Sequence, residues 1–149
     1  MVLKVLVDAF NQLQGTKTTY SRAGGGVGSI LLIKFSNRTS IMIWRYWEIF
    51  QNGKLLALEA DDTTPITGKV AVAARKLEGK KVITAELFEE YNFMLTFEDN
   101  LVLKMFTEID NVDDFPNWDY ADEDSDLDFE ITNLCEVKIE KYSGGDIEV

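Results

Sequence analysis

The sequence predicts an α+β fold, mainly an antiparallel β-sheet with about seven or eight strands and two short helices. Short apolar stretches recur at hairpin spacing, and they do not alternate regularly with helical stretches. No linker or internal repeat divides the 149 residues, and 46% of them are apolar, which is enough to bury a core without a metal or a disulfide. We therefore expect a single domain over residues 1–149, with residues 143–149 as a loose tail.

The first part of the chain predicts a helix followed by a connection. Residues 1–14 carry leucine, valine and phenylalanine at helical spacing, and Gly15 follows where a helix would end. The valines of this segment would equally suit a strand. Residues 16–28 are rich in threonine, serine and glycine, which predicts a connection with a short strand around Tyr20.

The next stretch predicts strands. Residues 29–35 form a short apolar run. Residues 41–50 are apolar on both faces apart from one arginine and one glutamate, which is typical of a central strand. Asn52 and Gly53 then supply the residue pair of a tight hairpin turn, and residues 55–59 return beside the preceding strand.

The middle of the chain predicts a second helix and a second hairpin. Apolar residues recur at helical spacing over 70–77, and a glycine follows shortly after. Residues 81–88 alternate as a strand does. Residues 93–97 and 101–106 predict a hairpin, because the aspartate-asparagine pair between them tolerates positive backbone dihedrals.

Two more strands are predicted towards the C-terminus, over residues 127–132 and 135–140, where apolar and charged side chains alternate. Cys135 falls on the apolar side of the second of them. We expect it to be a buried small hydrophobe and not a nucleophile, because the chain has no histidine to activate it.

The net charge of the chain is concentrated in one segment. The formal net charge is −11, and residues 108–130 contain eleven acidic residues with no lysine or arginine, so that acids and bases balance in the rest of the chain. A solvated surface seldom requires such a concentration. The acidic balance argues against nucleic acid and against an anionic membrane as partners.

The composition also excludes much enzyme chemistry. The absence of histidine removes the usual general base, the common nucleophile pairs and the commonest zinc ligand. Paired carboxylates could still hydrolyse glycosides, but so many acids make any nominated pair arbitrary. We expect no catalytic residue, no metal and no cofactor. A lone cysteine, with no signal-peptide or membrane-spanning pattern, predicts a cytoplasmic protein.

The acidic segment predicts a surface for a basic protein partner. Asp128 and Glu130 share the outward face of the strand predicted over 127–132, and other acids lie just before it, beside aromatic residues of the kind that interfaces favour. The predicted partner-binding residues are Asp119, Asp122, Glu123, Asp124, Asp126, Asp128, Glu130, Trp118 and Tyr120. The alternative is a solvated acidic loop whose aromatic residues fix it to the core.

Other sites fit the sequence less well. Asp122, Asp124 and Asp126 have the spacing of the first ligands of a calcium-binding EF-hand loop, but the glycine and the glutamate that such a loop needs are missing. The glycine-rich residues 24–28 lack the lysine of a phosphate-binding loop and run into a strand, which favours a turn or bulge. Trp44 and Trp47 point to opposite faces of the predicted strand 41–50, and an exposed tryptophan there would be a second interface candidate.

Three groups of residues lie in the middle of the chain, over residues 44–106: Trp47-Glu48-Ile49-Phe50 with Asn52-Gly53-Lys54, Leu77-Glu78-Gly79, and the hairpin from Phe93 to Leu101. In these residues the chain resembles small uncharacterised bacterial proteins, some of which look like immunity proteins of polymorphic toxin systems. The resemblance implies a non-enzymatic protein that neutralises a toxin, and the acidic segment is compatible with a basic toxin surface. A small-ligand or calcium-binding domain is the alternative.

Overall fold

The computed structural model describes residues 3–24 and 28–142, and it confirms an α+β fold that is mostly β. The described residues form 11 strands in two antiparallel sheets and two helices, so the strands outnumber those predicted. The elements are α1 (Lys4–Asn11), β1 (Thr18–Arg22), β2 (Leu31–Phe35), β3 (Thr39–Ile43), β4 (Trp47–Gln51), β5 (Lys54–Leu58), α2 (Lys69–Lys76), β6 (Val82–Leu87), β7 (Phe93–Phe97), β8 (Leu101–Met105), β9 (Trp118–Asp122), β10 (Leu127–Ile131) and β11 (Val137–Lys141).

The two sheets share one hydrophobic core. The six-stranded sheet has the order β1-β2-β3-β9-β10-β11, and the five-stranded sheet has the order β5-β4-β8-β7-β6. Phe10 of α1, Phe93 of β7 and Trp118 of β9 meet in this core with ring centroids 4.9 to 5.9 Å apart. Each sheet therefore has an inner face in the core and an outer face that can meet solvent or a partner.

The two helices are confirmed and cover parts of the core. α1 buries Leu6 and Phe10 and lies against β6. α2 buries four small or β-branched residues and lies against β1 and β5. Gly79 follows α2 with φ +80°, a left-handed conformation that suits glycine at a helix end.

The predicted hairpin turns are confirmed in their backbone. Asn52 and Gly53 both have positive φ, 52° and 77°, as the tight turn between β4 and β5 requires. Asp99 and Asn100, at the turn between β7 and β8, have φ of 62° and 58°. The residue pairs Asn52-Gly53 and Asp99-Asn100 thus predicted the positions of both turns correctly.

The single central strand predicted over residues 41–50 is wrong. The chain forms β3 in one sheet and β4 in the other, and residues 44–46 are the corner between them. Ile43 and Trp47 both enter the core, one from each sheet. The segment looked apolar on both faces because its side-chain pattern restarts at the corner where the chain changes sheets.

The acidic segment contains a strand that was not predicted. β9 pairs with β3 on one side and β10 on the other, so it lies inside the six-stranded sheet. Its inward residues are Trp118 and Tyr120, while Asp119 and Ala121 lie on the outer face and remain partly exposed. The aspartates on its outer positions made this strand look like a loop.

The expectation that Cys135 is a buried strand residue is also wrong. Cys135 lies in the turn between β10 and β11 with φ 59°, and it is only half-buried. Its backbone N–H donates to Thr132 O at 3.0 Å, and its thiol lies 3.5 Å from Glu108 O. The predicted tail, residues 143–149, and the centre of the glycine-rich loop, residues 25–27, lie outside the described residues.

Candidate acidic binding surface

Three of the predicted acids lie together on the outer face of the six-stranded sheet. Asp119 projects from β9, and Asp128 and Glu130 project from β10. We call these three residues the acidic sheet face. Trp118 and Tyr120, which were predicted to contact a partner, are instead buried in the core at 0% and 1% exposure and cannot do so in the folded protein.

The acidic sheet face brings like charges together. Asp119 and Glu130 are directly opposite each other across β9 and β10. Asn117 N–H donates to Ile131 O at 2.7 Å, and since backbone polar groups alternate sides along a strand, Glu130 belongs to a non-hydrogen-bonded pair with its neighbour in β9. Side chains approach most closely in such pairs, and like charges placed there destabilise a sheet.

The pKa values of two of these carboxyls are raised. Burial raises the pKa of Asp119, and the nearby Asp128 carboxylate raises it further, against the opposing effect of a hydrogen bond from Trp44. Burial also raises the pKa of Glu130, and a hydrogen bond with Glu140 and the charges of Glu140 and Asp119 act in the same direction. Lys138 opposes this shift, but its ammonium is 3.8 Å from the Glu130 carboxylate.

The other predicted acids lie in the turn between β9 and β10 and are paired locally. Arg38 binds Glu123 at 2.7 Å and Asp124 at 3.5 Å. Lys141 binds Asp126 at 2.9 Å. Asp122 accepts hydrogen bonds from the backbone and the hydroxyl of Ser125 and from the backbone of Asp124, so it stabilises the turn itself.

The three aspartates with EF-hand spacing therefore have different partners. Among residues 3–24 and 28–142, no group of three or more acidic, histidine or cysteine side chains is gathered closely enough to hold a metal ion. Asp122 and Asp124 instead line an open cleft of about 620 Å³ between α1 and the β9–β10 turn. Asp8 and Tyr142 are among its other lining residues.

Trp44 connects the acidic sheet face to an exposed aromatic ring. Its indole N–H donates to the Asp119 carboxylate at 2.9 Å. Its ring stacks on Phe115, with centroids 5.6 Å apart and planes inclined by 14°. Trp44, the predicted second interface candidate, thus lies beside the acids. Trp47 is fully buried in the core.

Phe115 belongs to a long loop, residues 106–117, which Arg45 holds in place. The Arg45 side chain is only 8% exposed. It donates to Asp110 at 2.9 Å, to Asp113 at 2.6 Å and to Phe115 O at 2.6 Å. The Asp110 carboxylate accepts hydrogen bonds from Val112 N–H and from Arg45, and these bonds, with the charge of Arg45, keep the pKa of Asp110 below its ordinary value despite partial desolvation.

Two asparagines fix the ends of the same loop. The buried Asn117 donates to Glu108 O at 2.9 Å and to Thr132 O at 2.8 Å, and its own side-chain oxygen accepts from Glu108 N–H. Asn133 donates to Asp110 O and Asp113 O at 2.8 and 3.0 Å. The loop is long, but it is tied to the six-stranded sheet at several points.

The loop displays apolar side chains to solvent. Ile109, Val112 and Phe115 are 69%, 96% and 56% exposed. Exposed apolar groups on a loop that is otherwise well bonded are typical of protein interfaces. None of these three residues was among the predicted partner-binding residues; the available signal was that apolar residues recur in the loop without the period of a helix or a strand.

No helix among the described residues is both long and apolar enough to cross a bilayer. In comparisons with known proteins, no protein-family model, no curated protein sequence and no solved structure matches this chain. We therefore infer the function of the protein from the geometry of the acidic sheet face and of the loop beside it.

Proposed function

We propose that the protein is a non-enzymatic binding protein that engages a basic protein partner through the acidic sheet face and the adjoining loop 106–117. The observation that carries this proposal is the pair of Asp119 and Glu130, two carboxylates facing each other on a partly exposed sheet surface, with the Glu130 side chain 23% exposed. Such a pair destabilises the free protein and is relieved when a cation is placed between or above the carboxylates.

The loop supplies the other half of the proposed surface. Long-range attraction to the acids accelerates encounter, while apolar contacts that exclude water slow dissociation. Ile109, Val112 and Phe115 are exposed apolar residues of the loop, and the Trp44–Phe115 stack joins Phe115 to Asp119. A partner with arginine or lysine residues around an apolar patch matches both parts.

We infer the class of the partner from the resemblance to immunity proteins. We propose that the partner is a toxin with a basic surface and that the complex forms in the cytoplasm, with no nucleic acid or membrane involved. Occlusion of a basic surface needs no catalytic residue, which fits a chain without histidine.

The cleft between α1 and the β9–β10 turn supports the second candidate function as a small-ligand site, while no group of acids among the described residues supports its calcium-binding form. Its lining includes Asp8, Asp122 and Asp124, and its volume of about 620 Å³ is that of a ligand pocket. A calcium titration followed by thermal melting separates the candidates. A specific site raises the melting temperature at low calcium concentration, and the binding-protein proposal expects no such rise.

The proposal is tested by association kinetics with a fluorescent decaarginine peptide as the basic probe. The test variant combines Asp119→Asn, Asp128→Asn and Glu130→Gln. The control variant combines Asp62→Asn, Glu86→Gln and Glu98→Gln, which are exposed acids outside the six-stranded sheet.

Both variants remove three negative charges, so any general effect of net charge is matched. We expect the test variant to slow association about threefold or more relative to the control and to flatten its salt dependence. Equal rates and equal salt dependence for the two variants would overturn the proposal.

A further inference from the structure

The last described strand leaves one edge of the six-stranded sheet open. β11 pairs with β10, and within residues 3–24 and 28–142 no strand pairs with its second edge. Thr132 N–H donates to Glu136 O at 2.8 Å, so the backbone of Glu136 points towards β10. Since these groups alternate along a strand, the N–H and C=O of Val137 and Ile139 point outwards at the open edge.

The side chains of β11 are complementary to themselves under a two-fold axis. If two copies of β11 pair antiparallel about Ile139, Lys138 of each copy lies opposite Glu140 of the other, next to the place where the β10–β11 register shifts between Ile139 and Lys141. The outward N–H and C=O of Ile139 then meet those of the second copy. Lys138 and Glu140 are 61% and 48% exposed, so both side chains are accessible for such pairs.

Lysine on an edge strand normally discourages pairing, because it meets another charge or loses its hydration. In the two-fold register, each Lys138 instead faces Glu140 of the second copy, which gives two symmetric pairs of opposite charge. An isologous interface requires such self-complementarity. Within one chain, Lys138 is already 3.3 Å from Glu140 and 3.8 Å from Glu130, in a neighbourhood with surplus negative charge.

We propose that β11 is a homodimerisation edge: a second copy of this chain pairs with it antiparallel about Ile139, which joins the two six-stranded sheets into one continuous sheet. This inference goes beyond the proposed function and does not depend on it. Partly exposed Ile139, which packs against the margin of the core, gains cross-strand cover from Ile139 of the second copy, while Val137 lies opposite Lys141 of that copy.

Sedimentation of the full chain over a range of concentrations, at one ionic strength, tests the proposal. The wild-type protein is expected to show a concentration-dependent monomer–dimer equilibrium. Lys138→Glu and Glu140→Lys each place like charges opposite each other twice per dimer, and we expect each to weaken dimerisation about tenfold or more.

An equimolar mixture of the Lys138→Glu and Glu140→Lys variants tests the proposed charge pairing directly. In the mixed dimer every position 138 faces a charge of opposite sign at position 140, so an equimolar mixture is expected to dimerise again. The double variant Lys138→Glu with Glu140→Lys is expected to regain its own dimer for the same reason.

Matched controls place the same charge changes on the other sheet. Lys54→Glu on β5 and Glu86→Lys on β6 are both at exposed positions and should change the dimerisation constant by less than about twofold. A wild-type protein that stays monomeric at all concentrations would overturn the proposal. So would a dimer that Lys138→Glu and Glu140→Lys leave unchanged, or single variants that the mixture does not restore.

Discussion

On the outer face of each sheet, two charged residues lie directly opposite each other on neighbouring strands, but the two pairs differ in the signs of their charges. On the five-stranded sheet, Glu48 of β4 is directly opposite Lys104 of β8, and the Lys104 ammonium lies 4.9 Å from the centre of the Phe50 ring. On the six-stranded sheet, Asp119 of β9 is directly opposite Glu130 of β10. The β4–β8 pair joins unlike charges and the β9–β10 pair joins like charges, although Glu130 also lies opposite Lys138 of β11, with 3.8 Å between the two charged groups.

The two cross-strand pairs contribute to the stability of the fold in opposite directions. Cross-strand pairs of opposite charge stabilise a sheet by a few tenths of a kcal/mol to about 1 kcal/mol, and like charges in the same position destabilise it. On the five-stranded face, the Glu48 carboxylate accepts a hydrogen bond from the Tyr46 hydroxyl and the Lys104 ammonium lies over the Phe50 ring, so both charges have partners within the molecule. The acidic sheet face holds unfavourable charge that a cationic partner would neutralise, which is why we assign binding to it.

The largest expected effect is at Arg45, which holds the loop beside the acidic sheet face. Arg45→Gln removes the charged hydrogen bonds to Asp110 and Asp113 from a side chain that is 8% exposed, and it should lower the free energy of unfolding by about 2 kcal/mol or more. Urea denaturation measures the loss. Arg38→Gln is the matched control, because its ion pairs are exposed and contribute little.

A change at Glu48 tests whether the five-stranded face is satisfied. The Glu48 carboxylate accepts a hydrogen bond from the Tyr46 hydroxyl at 2.7 Å, which with burial raises the pKa of Tyr46 to about 12. Glu48→Gln should bring this pKa back towards its ordinary value of 10.0, as measured by absorbance titration. Tyr120, whose pKa is raised to about 12 mainly by burial, is the internal control and should not move.

Neutralising one acid on each face should change stability in opposite directions. Asp119→Asn removes a like-charge contact and is expected to raise the free energy of unfolding at neutral pH by about 0.5 kcal/mol. Glu48→Gln removes an attractive pair with Lys104 and is expected to lower it by a similar amount, about 0.5 kcal/mol. Urea denaturation of both variants would contradict the comparison if the two changes had the same sign.

The gain from Asp119→Asn should depend on pH. The pKa of Asp119 in the folded protein is raised above its ordinary value of 3.8, so folding favours the protonated acid. That contribution is complete below the unfolded pKa and is lost as the pH rises through the raised, folded pKa. The stability difference between Asp119→Asn and the wild type should therefore be smallest in acid, grow through this window and then level off.

The smallest effect on stability is expected at Val112. Because its side chain is 96% exposed, Val112→Ser should leave the free energy of unfolding within about 0.5 kcal/mol of the wild type. Thermal melting checks this. A large loss would show that the loop residue belongs to the fold and would remove it from the proposed interface.

Local chemistry could be predicted from the sequence, and long-range pairing could not. The turns at Asn52-Gly53 and Asp99-Asn100 follow from residues that tolerate positive φ, so they were found. The break at residues 44–46 has no turn signal, because the chain simply passes from one sheet to the other. Arg45 meets Asp110 across 65 residues of sequence, a contact that no spacing rule reveals.

The same limit explains the outcome for the candidate site. Alternation in β10 correctly assigned Asp128 and Glu130 to an outer face. The aromatic residues of β9 were misjudged because their strand was not recognised, and side chains next to acids in sequence can point to the opposite face of a sheet. Whether an acid is paired depends on Arg38 or Lys141, which approach from other elements.

Chemical-shift mapping of the backbone amides during titration with unlabelled decaarginine tests the central claim most directly. The account predicts the largest changes around Trp44, Asp119 and Asp128 to Glu130, with smaller ones in the loop 106–117. Amides near Glu86 and Glu98 on the other sheet should change little. Shifts spread over all exposed acids in proportion to their accessibility would contradict the claim that the acidic sheet face is the binding surface.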